Sequence, residues 1–80
     1  MVETEKTRGS RADAESEKEL YLFKNVSSLR LTYQIRLLTF FAAQKKKTLV
    51  VRVPKHCQFH KELESFIREN KKHVKAERVG

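Results

Sequence analysis

Hydrophobic positions gather into five blocks, and the spacing within each block predicts its element. Leu20-Tyr21-Leu22-Phe23 is apolar and aromatic and runs into Lys24-Asn25, the pattern of a strand that ends in a turn. Ser27 or Ser28 can accept the unpaired amides of a first helical turn, so a helix is expected from Leu29 to Lys45, a stretch without Gly or Pro. Thr48-Leu49-Val50-Val51-Arg52-Val53 is dense in β-branched residues and stops at Pro54, the clearest strand signal in the chain. After a loop from Lys55 to Gln58, Phe59, Leu63, Phe66 and Ile67 recur at the spacing of one buried stripe, which predicts a second helix from Phe59 to Asn70. Glu64 and Arg68 are spaced to pair on it. Val74 to Val79 reads as a last strand, charged and therefore expected at a sheet edge. Strands alternating with helices favour parallel pairing and right-handed crossovers. The expected fold is a small single α/β domain of order β-α-β-α-β, a three-stranded sheet packed with two helices on one or both faces.

The first helix is apolar on two sides. Leu29, Tyr33, Leu37 and Phe40 share one side, and Leu31, Ile35, Leu38 and Ala42 share another. Thr32, Arg36, Thr39 and Ala43 form a narrow polar stripe between them, and Arg30 with Gln34 a second. A surface helix normally has one apolar stripe, so two stripes imply two things to pack against. Sheet and neighbouring helix would account for both in the plain reading. The sharper reading is a homodimer with Leu31, Ile35, Leu38 and Ala42 at its interface, because an uncovered Leu and Ile stripe promotes aggregation. A helix lying on a membrane would have one broad polar face, which this one lacks.

Charge divides the chain unevenly. Residues 1–19 hold four basic and six acidic residues, a balance of −2, and little that is apolar, which predicts a disordered polar tail. Residues 20–80 hold fourteen basic and four acidic residues, a balance of +10 within the overall +8. Between Leu20 and Lys61 there is no Asp or Glu at all. A field of one sign over such a length attracts polyanions. Cys57 is the sole cysteine, so no intrachain disulfide is possible, and the N-terminal segment has no apolar signal core. A cytoplasmic protein is the expectation.

Phosphate contacts are expected from Lys45, Lys46 and Lys47, joined by Arg52 and Lys55 and supported by Arg30 and Lys24; the competing reading is a helix end decorated with solubilising lysines. Tyr21 and Phe23 share one face of their strand and would stack bases if exposed, although such aromatics are more often core. His56, Cys57, His60 and His73 are all possible zinc ligands but lack the paired spacing of a zinc module, so neither metal nor cofactor is expected. Both glycines, Gly9 and Gly80, lie outside the predicted elements, which excludes a glycine-rich phosphate loop. No carboxylate pair is placed for acid–base work. The sequence therefore points to a non-enzymatic, dimeric basic module that binds the nucleic-acid backbone with low sequence specificity. The rival reading is a protein-interaction or assembly module that uses the apolar face of the first helix, its charge suited to an acidic protein partner.

Overall fold

In the computed structural model, which describes residues 12–79, the chain runs β1 (Ala14–Glu15), β2 (Glu19–Phe23), β3 (Ser28–Leu29), α1 (Tyr33–Gln44), β4 (Thr48–Pro54), β5 (Gln58–Phe59), α2 (Lys61–Glu69) and β6 (Val74–Val79). The α/β class and its two helices are as the periodicity predicts. The main sheet has four strands rather than three, in the order β1-β2-β4-β6, with β2, β4 and β6 parallel and β1 antiparallel to β2. The small pair β3·β5 lies apart from it.

The extra strand comes from the segment expected to be a disordered tail. Residues 1–11 of that segment lie outside the described residues. Ala14 pairs with Tyr21 and Glu15 with Leu20, and Asp13 accepts a 2.8 Å hydrogen bond from the Phe23 amide. Polar contacts hold this strand, so hydrophobic patterning does not reveal it.

β2, β4 and β6 stand in the sheet in chain order. Two right-handed crossovers stepping the same way across a sheet put both helices on the same face. Leu20, Leu22, Leu49, Val51, Val53 and Val74 point to that face and form the core with Ile35, Leu38 and Ala42 of α1 and Leu63 of α2. The homodimer interface expected at Leu31, Ile35, Leu38 and Ala42 is therefore corrected. Ile35, Leu38 and Ala42 are buried beneath the sheet, and Leu31 packs beside them. Thr39, expected in a polar stripe, is buried too, its hydroxyl donating to the Ile35 carbonyl at 2.7 Å. On the opposite stripe Tyr33 is 75% and Phe40 56% exposed, whereas Leu29 lies outside the helix and joins the core.

α1 starts later than expected. Thr32, not Ser27 or Ser28, is the cap, its hydroxyl accepting from the Ile35 amide at 3.2 Å. Ser28 and Leu29 are instead drawn into pairing with Gln58 and Phe59. Among the described residues, no helix is long and apolar enough to cross a membrane.

Among the described residues, the second face of the sheet carries no helix. Its rows are Tyr21–Val50–Lys75 and Phe23–Arg52–Glu77, flanked by Glu19–Thr48 and Pro54–Val79. Parallel sheets are usually covered on both sides. Here long side chains do part of that work. Lys75 on β6 reaches across β4 to Glu19 on β2, 3.6 Å away, and the Arg52 guanidinium lies 5.2 Å from the centre of the Tyr21 ring. Beneath them Val50 is fully buried, although it does not belong to the helix-side core.

Candidate nucleic-acid interface

Parallel strands joined by helices place every helix N-terminus at the carboxyl end of the sheet, the end where ligands of such folds bind. Thr32 before α1 and His60 before α2 sit there, and so do the partial positive charges of the two helices. The two crossover loops leave the sheet at the same end and are tied together. Gln58 N–H donates to the Ser27 carbonyl at 2.9 Å, and His60 N–H to the Leu29 carbonyl at 3.0 Å. Both loops belong to the acid-free part of the chain. Their pairing gathers Lys24, Arg30, Lys55 and His56 at one end of the molecule, and none of these makes an ion pair among the described residues. Arg78 adds to the group from the end of β6. Its guanidinium donates to the Cys57 carbonyl at 3.1 and 3.3 Å and lies 4.6 Å from the centre of the Phe59 ring.

A groove of about 520 Å³ opens here on the helix-free face, lined by Phe23, Lys24, Asn25, Arg52, Val53, Pro54 and Val79. It has an apolar floor and two cations, and none of its described lining residues is a carboxylate. Phe23 is half exposed and stacks on Tyr21, the ring centres 6.3 Å apart and the planes inclined by 22°. Tyr21 is itself pinned, its hydroxyl donating to Glu19. That hydrogen bond holds the Glu19 carboxyl below the usual carboxylate range and raises the Tyr21 phenol above its ordinary value. Arg52 is shared between this platform and Glu77, to which it donates at 2.9 Å.

The predicted phosphate ligands are thus split between the two ends of the sheet. Lys24, Arg30, Lys55 and Arg52 stand at or beside the carboxyl end. Lys45, Lys46 and Lys47 stand at the other, in the turn from α1 to β4, and there the absence of acids in the local sequence is misleading. Glu15 of β1, remote in sequence, lies 3.4 Å from Lys45 and bonds Lys47, which also donates to the Ser16 carbonyl at 2.8 Å. The Lys47 hydrogen bond, with Lys45 nearby, holds the Glu15 carboxyl below its ordinary range. The same three lysines close the helix. Lys47 N–H bonds the Ala42 carbonyl at 2.7 Å and Lys46 N–H the Ala43 carbonyl at 3.1 Å, with Lys46 left-handed at φ 59°. This is the Schellman termination, in which glycine is the usual residue at the left-handed position.

Sequence reasoning discounted Tyr21 and Phe23, and it did not single out Arg78. The alternation in Leu20-Tyr21-Leu22-Phe23 carried the aromatic signal, but only the strand order shows which face of β2 lacks a helix. The His56, Cys57, His60 and His73 set does not converge. Cys57 is in the core, His56 and His60 are exposed, and His73 is in the turn before β6 at the far end of the sheet. Among the described residues, no three His, Cys, Asp or Glu side chains are grouped to hold a metal ion. No protein family matches the chain, and neither a curated protein nor a solved structure shows significant similarity to it.

Proposed function

We propose that the protein binds single-stranded nucleic acid, with low sequence specificity, through the carboxyl end of its sheet. A base stacks on Phe23, which Tyr21 backs, while Lys24, Lys55 and Arg30 contact phosphates and Arg52 flanks the platform. The observation that carries this reading is the groove in which a half-exposed aromatic ring lies beside Lys24 and Arg52, at the end of the sheet where loop cations without an ion-pair partner among the described residues collect. Stacking accepts any base and phosphate contacts carry no sequence information, so specificity is weak. In this reading the protein is a binder rather than an enzyme and works in the cytoplasm, where a free thiol such as buried Cys57 stays reduced.

Titration of labelled oligothymidylate and oligouridylate, followed by fluorescence anisotropy, tests the proposal. With three to four phosphate contacts, affinity should fall roughly twenty- to fiftyfold between about 50 and 200 mM salt. Absence of binding at low salt, or binding indifferent to salt, refutes it.

One observation favours a second reading. Tyr33 and Phe40 are exposed on the outer side of α1, with Arg36 exposed between them on the helix. An acidic protein partner with an apolar contact stripe would fit that surface. Phe40→Glu should abolish such an interaction and leave oligonucleotide binding unchanged.

A further inference from the structure

Among the described residues β6 ends the sheet, so one row of its peptide groups has no described strand beside it. The direction of that row follows from the ladder to β4. Leu49 N–H donates to the His73 carbonyl at 2.8 Å, so the odd-numbered residues turn their peptide groups toward β4, and those of Val74, Ala76 and Arg78 face outward. The Val74 amide is already taken by the Asn70 carbonyl at 3.0 Å. The Val74 carbonyl and the peptide groups of Ala76 and Arg78 are left for pairing.

We propose that β6 pairs antiparallel with β6 of a second copy of this chain, across a two-fold axis that passes through Ala76. The charge pattern of the strand selects both occupant and register. Facing residues in an antiparallel pair point to the same side of the sheet, so any register displaced by one residue sets the core face of one copy against the helix-free face of the other. Of the registers that keep the faces aligned, one centred on Lys75 opposes two lysines and one centred on Glu77 opposes two glutamates. Centring on Ala76 sets Lys75 opposite Glu77 of the second copy, twice, with the small Ala76 on the axis.

An edge lysine ordinarily hinders strand addition. Here the same lysine sits in a row of alternating sign that symmetry can continue. Within one copy, Lys75 lies 3.6 Å from Glu19 and 3.8 Å from Glu77, and Glu77 accepts from Arg52 at 2.9 Å. Pairing extends these contacts into a row of alternating sign, from Glu19 through Lys75 to Glu77 and Arg52 of the second copy. Ala76 exchanges two hydrogen bonds with its symmetry mate, and each Arg78 amide meets a Val74 carbonyl. The helix-free faces of the two copies become one continuous surface. This interface runs along the outer edge of β6 and meets the carboxyl-end groove at Arg52 and Val79, but it does not depend on nucleic acid.

The test uses the whole chain free of nucleic acid. Light scattering after size-exclusion chromatography should give the wild type twice the mass of one chain. Ala76→Pro deletes an amide that points away from β4, a position where an edge strand tolerates proline, so the mass should halve while the far-UV circular dichroism spectrum is unchanged. Facing Cα atoms in a hydrogen-bonded antiparallel pair are about 5.5 Å apart, within disulfide reach. Ala76→Cys should therefore form a covalent dimer on oxidation, and this decides the matter if Ala76→Pro fails to fold. A wild type that is monomeric at millimolar concentration overturns the proposal. So does a dimer that Ala76→Pro leaves whole, or a dimer that Ala76→Cys does not cross-link.

Discussion

The two ends of the sheet both carry lysines, and they differ in what those lysines are attached to. At the amino end Lys45 and Lys47 meet Glu15, and Lys46 and Lys47 terminate a helix through their backbone amides. At the carboxyl end Lys24 and Lys55 have no acidic partner among the described residues, and both helices point their positive termini the same way. The densest run of cations in the sequence thus becomes, in three dimensions, a structural end, while the scattered ones gather where no described acid pairs Lys24 or Lys55. Charge counted along a chain measures supply; the fold decides how much of it is spent internally.

The strongest challenge to this contrast is charge reversal at each end. Lys24→Glu with Lys55→Glu should weaken oligonucleotide binding by about a hundredfold, since contacts are lost and repulsion is added. Lys45→Glu with Lys47→Glu should change affinity far less and show its effect in stability instead. Equal losses at the two ends would erase the distinction. Next in size, Phe23→Ala should cost about 1–3 kcal/mol of binding, the range for one stacked base, with the melting temperature nearly unchanged because the ring is half exposed.

Lys46→Gly sharpens the comparison from the other side. It relieves a side chain in the left-handed region and should stabilise the fold by about 1 kcal/mol in chemical denaturation, without loss of binding. The smallest effect concerns pH. Because Lys47 and Lys45 lower the Glu15 carboxyl, its contribution is complete above the ordinary glutamate range and disappears as pH falls through the lowered value. Amide exchange at Asp13 and Ser16, which donate to β2, should therefore quicken under acid, relative to the rest of the sheet, and Glu15→Gln should remove that dependence. Tyr21 has the opposite sign. Its phenol is raised by the hydrogen bond to Glu19, so its contribution holds below the ordinary tyrosine range and is lost as alkali carries the pH through the raised value.

The elements with strong periodicity were legible in the sequence. The strand expected at Thr48–Val53 is observed as Thr48–Pro54, and Val74–Val79 forms the edge strand its charges imply. β1 was not legible, because Ala14–Glu15 has no hydrophobic signal and owes its place to Asp13 and Glu15 finding partners far along the chain. The start of α1 was ambiguous for a related reason. Ser28 and Thr32 are both competent caps, and the pairing of β3 with β5 removes the first from contention. The two sides of α1 are similarly apolar, so which one faces the sheet is a question of tertiary geometry; the answer puts Ile35, Leu38 and Ala42, expected at an interface, in the core. The candidate site shared this limit. Its residues were in view, but the proximity of Glu15 to Lys45 and the bareness of the Tyr21 and Phe23 face are both products of strand order.

That strand order has a kinetic corollary. Because β2, β4 and β6 are laid side by side in the sequence in which they are synthesised, each parallel pairing closes over a single intervening helix, and β1 folds onto its immediate successor. No strand has to be inserted between two already formed. Assembly can advance from one edge of the sheet to the other, each step closing one crossover that contains a single helix. On a ribosome the β2-α1-β4 unit would already be assembled while β4 still presented its open flank to the emerging β6.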